Sequence, residues 1–258
     1  MSLKFYSTVA SPPSLAVQQC LTYLDVPFEL EDLLYTSGRH MSEEFAKVID
    51  IFHKPCDLLV YLVTVSFFSS DSFQINPQKE LPVIDDNGFQ LSESNAILQY
   101  LADKYPKDQT LYPKDVKERA LVNHRLCFDL STYYKHICDY AVNPLLFDYQ
   151  KTPLSLKLTR IALSNFNTYL ERTGTKYAAT NNVTIADFQL VTSTMCLEAI
   201  KFDLSDYPLI QKWYSTYKQE NPALWKIVEP SVQILGYLVN NPPDLSKMEH
   251  PIHPIRKS

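Results

Sequence analysis

The chain has 258 residues, 45% of them hydrophobic and 21% charged, with a formal net charge of −5. That composition belongs to a globular protein with core enough for one large or two modest domains. The acidic balance excludes an electrostatic hold on nucleic acid or anionic lipid. Five cysteines at irregular spacing, with no CxxC pair, exclude the usual zinc and dithiol arrangements and predict buried free thiols in a reducing compartment. No basic stretch followed by an apolar run opens the sequence. The most apolar window, residues 58–68, falls well short of the roughly 20 residues a membrane helix needs. The expectation is a cytoplasmic protein with neither nucleic acid nor a membrane as partner.

Residues 3–6 are a short apolar run that reads as a strand. Pro12 and Pro13 follow, then Ala16, Val17, Cys20, Leu21 and Leu24 at helical spacing. Proline suits a first helical turn, so Ser11 is the natural N-cap. Asp25-Val26-Pro27 closes the helix and residues 28–33 read as a second strand, giving a strand–helix–strand opening. Residues 81–91 carry two strand-like runs around Asn87-Gly88, a strong hairpin signal. Ser92 or Ser94 then caps a helix bearing Ile97, Leu98, Leu101 and Tyr105. A polar, Pro-containing stretch ends this first domain, assigned to 1–105 with a linker over 106–113. Beyond it every pattern is helical, over roughly 115–148, 154–172, 184–200, 206–219 and 222–238, so an all-helical domain is assigned to 114–238 and an extended Pro-rich tail to 239–258. The fold class expected is α+β, an α/β domain followed by a helical bundle.

Four segments carry a family resemblance. Phe5-Tyr6 followed by Ser11-Pro12-Pro13, the stretch Asn76-Pro77-Gln78 leading into Leu81-Pro82-Val83-Ile84-Asp85-Asp86-Asn87-Gly88, Ser92-Glu93-Ser94-Asn95-Ala96-Ile97, and Thr184-Ile185-Ala186-Asp187-Phe188 stand in family order. Together they resemble cytosolic glutathione S-transferases of the insect delta/epsilon type. The resemblance implies a thioredoxin-like first domain, glutathione as co-substrate with no tightly bound cofactor, small hydrophobic electrophiles as second substrates, and a homodimer. It makes Ser11 the residue that stabilises glutathione's thiolate, since a hydroxyl at a helix start can donate to sulfur and the helix N-terminus adds positive potential. From spacing alone, Ser11 is only an N-cap. The resemblance makes Pro82 a cis-proline that aims the backbone of Leu81 at the cysteinyl part, sets Glu93 and Ser94 on the γ-glutamyl end, and sets His40 near the glycyl carboxylate.

Thr184 and Asp187 read as a structural capping pair for a core helix, not as catalysts. Phe128, Tyr133, Tyr134 and Ile137 recur at spacings that suit one face of the first long helix, which the resemblance makes a candidate electrophile site, although such a stripe is more often core. His250 and His253 stand in an extended Pro-rich stretch with no metal-binding geometry, and no metal is expected.

The sequence also departs from the resemblance. Lys79 stands in place of a histidine, where it could meet the glycyl carboxylate as a point charge. Leu15 replaces an arginine and Thr180 a glycine. Residues 48–74 are a foreign-looking apolar insertion; deleting them would join Lys47 to Ile75. It opens on Val48 and closes on Phe73-Gln74, whose codons can carry intron edges, so a retained intron or gene-model error is the favoured reading and a real loop the rival. The leading function is conjugation of glutathione to hydrophobic electrophiles in detoxification. The alternatives are a non-catalytic, ligand-binding or inactive splice form, and a transferase devoted to an endogenous substrate, as in the ecdysteroid pathway.

Overall fold

The computed structural model describes residues 3–32, 76, 78, 80–147 and 149–241. His40, Lys79, the 48–74 segment and both tail histidines lie outside the described residues.

Strand β1 (Leu3–Ser7) pairs in parallel with β2 (Phe28–Asp32), and helix α1 (Pro12–Tyr23) makes the crossover. β3 (Val83–Asp86) runs antiparallel to β1 and to β4 (Phe89–Ser92), which completes the order β2-β1-β3-β4. The hairpin turns on Asn87 and Gly88, both at positive φ (56° and 93°), as a primed two-residue turn requires. Asp85 stiffens that turn by accepting the Gly88 N–H at 2.7 Å. Leu3 and Phe5 of β1 point into the core and Lys4 points out, the period-two signature of a half-buried strand.

Helix α2 (Ser94–Lys104) buries Ile97, Leu98 and Leu101 against α1 and the hairpin. Its far end is tied to the sheet by Asp86, whose carboxylate accepts from Lys104 at 2.6 Å, Tyr105 at 2.7 Å and Tyr100 at 2.9 Å. Burial alone would raise that carboxyl; the donors outweigh it and hold it at about 2.

The helical half begins with α3 (Val116–Phe128), capped by Asp115, which accepts from the N–H groups of Lys117 and Glu118. The single helix expected over 115–148 is interrupted twice. A π turn spans Asp129–Tyr133, a short α segment Tyr134–Ile137, a second π turn Cys138–Val142 and a last α turn Asn143–Leu146. Periodicity in sequence does not register an inserted residue in a helix, so both bulges went unforeseen. α4 (Pro153–Thr173) starts on the reciprocal pair Thr152 and Ser155 and stops at Gly174, which supplies φ 61°.

α5 (Ile185–Ala199) is buried along nearly its whole length and packs against α1, α3 and α7 (Pro222–Asn240). A helix covered on all sides must satisfy its polar side chains internally, and Thr192 and Thr194 do so by bonding the carbonyls of Phe188 and Leu190. Asp187 fixes its first turn, accepting from the Thr184 N–H and hydroxyl, the Ala178 N–H and Trp213 Nε1, all at 2.8–2.9 Å. Thr180 needs no glycine-like backbone there; its hydroxyl bonds the Asn182 carbonyl at 2.8 Å.

α6 (Pro208–Glu220) returns toward the sheet domain, where Tyr217 donates to Gln19 of α1 at 2.5 Å. Two expectations are corrected. α7 runs to Asn240, so the extended tail assigned from 239 starts too early. Cys127 is exposed, unlike Cys20 and Cys196, because it sits on the outer face of α3. Leu15 is buried in the core, an apolar site where an arginine would need partners.

Candidate functional site

One cavity lies where the two halves meet. Pro12 and Pro13 from the start of α1, Leu81 and Pro82, and Glu93 and Ser94 from the start of α2 form its sheet-domain wall. Asp129, Leu130 and Tyr134 from the first π turn and its exit, with Gln189 and Ser193 from α5, form the opposite wall, and Asn76, Gln78 and Glu80 complete the rim.

Local backbone geometry aims these groups. The Leu81–Pro82 bond is cis. Asn76 braces the approach to it, donating to the Glu80 carbonyl at 2.8 Å and accepting the Gln78 N–H at 3.1 Å. Glu93 sits at φ 68°, ψ 106°, an uncommon conformation for a residue with a side chain. That sharp turn swings the N-terminus of α2, with Ser94, toward the cavity. Ala10 turns at φ 60° immediately before Ser11, so both helix starts are preceded by a residue held off the usual backbone map, as is frequent at functional sites.

Ser11 occupies the N-cap of α1 with extended backbone (φ −80°, ψ 114°), and its carbonyl accepts the Leu15 N–H at 2.9 Å. Its hydroxyl makes no capping hydrogen bond, so it is not committed to the helix. The cavity wall begins one residue later, at Pro12, and does not include Ser11. Of the other residues singled out from sequence, Leu81, Pro82, Glu93, Ser94 and Tyr134 are brought together around the cavity.

The rest of the aromatic stripe is not. Tyr133 and Ile137 are fully buried and Phe128 nearly so. The Tyr133 ring packs on Phe166 and its hydroxyl meets Thr194 at 3.0 Å. The π turn is the reason. It brings residues five apart into line, so Asp129 and Tyr134 share the cavity face while Tyr133 turns inward. Thr184 and Asp187 are structural, as their hydrogen bonds show.

Sequence reasoning missed Asp129, Gln189 and Ser193. Each is a polar residue buried in a helix. In α5 the spacing of Gln189 and Ser193, four apart and so on one face of the helix, was the available signal. Ser193 donates to Asp129 Oδ1 at 2.8 Å. Burial pushes the Asp129 carboxyl up to about 7 despite that bond, and burial likewise raises the Tyr134 phenol. Among the described residues no cluster of three or more His, Cys, Asp or Glu side chains could hold a metal ion, and no helix is long and apolar enough to cross a membrane.

The sequence pattern of the glutathione S-transferase N-terminal domain matches residues 10–104, and that of the C-terminal domain matches 133–221. A diazinon-metabolizing glutathione S-transferase of the silkworm, Bombyx mori, is similar at 47% identity and a TM-score of 0.74, over 91% of this chain and 100% of its own. A delta-class glutathione transferase of Nilaparvata lugens is similar at 32% identity and TM-score 0.73, over 93% and 99%. An epsilon-class enzyme of the housefly, Musca domestica, is similar at 26% and 0.72, over 93% and 98%. The chain belongs to the glutathione S-transferase family, among transferases of the insect delta/epsilon type, with a thioredoxin-like domain followed by a helical one. It is a glutathione transferase, and glutathione is the co-substrate of its family.

Proposed function

We propose that this transferase joins the glutathione thiolate to small hydrophobic electrophiles, and that Ser11 holds the sulfur in its anionic form. The observation that carries this reading is an N-cap serine whose hydroxyl makes no capping hydrogen bond, at a helix start beside the cavity that Pro82 and Ser94 line. A free thiol has a pKa near ~8.5 and only its anion is a strong nucleophile. A hydroxyl donating to sulfur, with the partial positive charge of the α1 N-terminus behind it, favours the anion. The thiolate attacks the electrophilic carbon, a carbon–sulfur bond forms, the leaving group departs with the bonding pair, and the thiol proton has already passed to water.

The remaining contacts follow from the same cavity. Ser94, at the start of α2, takes the γ-glutamyl carboxylate, and Glu93 takes the ammonium. The Leu81 backbone faces the cysteinyl unit. Lys79 and His40 serve the glycyl carboxylate. Leu130 and Tyr134 give the electrophile an apolar and aromatic wall. The silkworm relative is described as metabolizing diazinon, which supports a bulky apolar substrate class for this chain too. A homodimer in the cytoplasm is part of the reading.

Glutathione-affinity retention followed by a conjugation assay with a chlorodinitrobenzene, and then with diazinon, tests the reading. Retention with turnover of both is expected. Retention without turnover of either would overturn it. Repeating both assays on a chain with Lys47 joined to Ile75 measures what the 48–74 insertion costs.

A further inference from the structure

The hydroxyl of Ser94 is not free to choose its hydrogen-bonding role. The chain of constraints starts at the Leu126 carbonyl, which can only accept, and which takes the Asn95 Nδ2 donor at 3.0 Å. That contact turns Asn95 Oδ1 toward Gln189, so Gln189 must present its amide nitrogen, and Nε2 stands 2.6 Å from Asn95 Oδ1. The same nitrogen has a second hydrogen, and it lies 2.6 Å from Ser94 Oγ. An amide nitrogen has no lone pair to offer, so Ser94 is the acceptor of that bond. A hydroxyl has one proton. With its oxygen held from behind by Gln189, that proton is left for the cavity which Ser94 and Gln189 both line.

We propose that Gln189 is a positioning residue that commits the Ser94 proton to the carboxylate of the bound tripeptide. The inference rests on the reading that Ser94 takes the γ-glutamyl carboxylate. Its neighbour one turn along α5, Ser193, does not compete for Ser94, because it donates to Asp129. Gln189 is almost wholly buried and belongs to the core helix of the second domain. Glutathione affinity is therefore set partly by how that domain docks on the first. A serine without this partner would turn its proton toward whichever acceptor was nearest. Here the amide relay selects a ligand group that accepts only, which a carboxylate does and an ammonium does not.

Gln189→Glu is close to isosteric and reverses the bond. The carboxylate that this substitution introduces accepts from Ser94 when ionised and draws the proton away from the ligand. Calorimetric glutathione binding and steady-state conjugation are measured for the native enzyme, Gln189→Glu, Ser94→Ala and the double variant. Glutathione affinity is expected to fall about tenfold at about pH 8 in Gln189→Glu, with kcat within about twofold. The double variant should be no weaker than Ser94→Ala alone. Near about pH 5.5 the deficit should shrink, because the introduced carboxyl, once protonated, donates to Ser94 again. Asp129, Glu93 and Glu80 face the same cavity, so the readout is the ratio to native enzyme at each pH. Gln189→Met, with an intact circular dichroism spectrum, gives a second route, with a loss of about threefold that also vanishes in the Ser94→Ala background. Native-like affinity in Gln189→Glu and Gln189→Met, or an equal loss with Ser94 already removed, would overturn the relay. If Ser94→Ala alone bound glutathione normally, the anchoring reading would fail first and the relay with it.

Discussion

Two helix starts face the cavity proposed to hold glutathione, and they are built differently. At the start of α2, Ser94 is held by Gln189, which is oriented by Asn95, which is oriented by the Leu126 carbonyl. At the start of α1, the Ser11 hydroxyl makes no capping hydrogen bond, and Ser11 stands one residue outside the cavity wall. A hydrogen-bond chain that crosses the domain interface fixes one serine before any ligand arrives, while the other makes no capping bond, which suits the sulfur-binding role proposed for it. The lesson is a division of labour. A binding group gains from preorganisation in the free protein. A group that stabilises the reacting anion gains from having no competing partner.

The comparison can be broken most severely through Asp187, which holds the first turn of α5 two residues before Gln189. Asp187→Ala strands two N–H donors, a hydroxyl and an indole N–H, and should cost about 3 kcal/mol of stability, read by denaturant unfolding. It should weaken glutathione binding through the Ser94 side. Next comes Ser11→Ala, expected to lower kcat/KM about 100-fold, or about 2.7 kcal/mol, while glutathione affinity changes by less than about threefold. Ser94→Ala should show the opposite split, with KM for glutathione raised about tenfold and kcat nearly kept. If both serines moved the same kinetic constant, the division of labour would be wrong.

A further prediction concerns Asp129. Its carboxyl is raised to about 7 by burial, above the ~3.9 of an unfolded chain. A carboxyl raised in the fold favours its protonated form there, so its contribution is fully present below about pH 4 and is lost as pH rises through about 7. The amide introduced by Asp129→Asn does not titrate. That variant should match the native melting temperature near about pH 4 and exceed it at about pH 8. A gap that opened in acid would contradict the sign.

Much of the fold was legible in the sequence because its devices are local. Pro12-Pro13 after Ser11, Asn87-Gly88 between apolar runs, and the Thr184–Asp187 pair each write a turn or a cap in a few residues. The sheet-domain half of the site came through the family resemblance, which gave Pro82, Glu93 and Ser94 roles that their local pattern alone does not give. The helical half was opaque. A π turn leaves no mark on periodicity, so Tyr133 and Tyr134 read alike from sequence, although one is core and the other lines the cavity. Gln189 and Asp129 were hidden because their partners, Ser94 and Ser193, lie 95 and 64 residues away in the chain. The intrachain hydrogen bond that defines each role exists only after the elements carrying the two partners have packed together.

The measurement closest to the central claim is the ionisation of bound glutathione, followed by the ultraviolet absorbance of its thiolate in the native enzyme and in Ser11→Ala. The account predicts a thiol that titrates at roughly 6.5 in the native complex and returns toward ~8.5 when the hydroxyl is removed. The same titration midpoint in both proteins would contradict it.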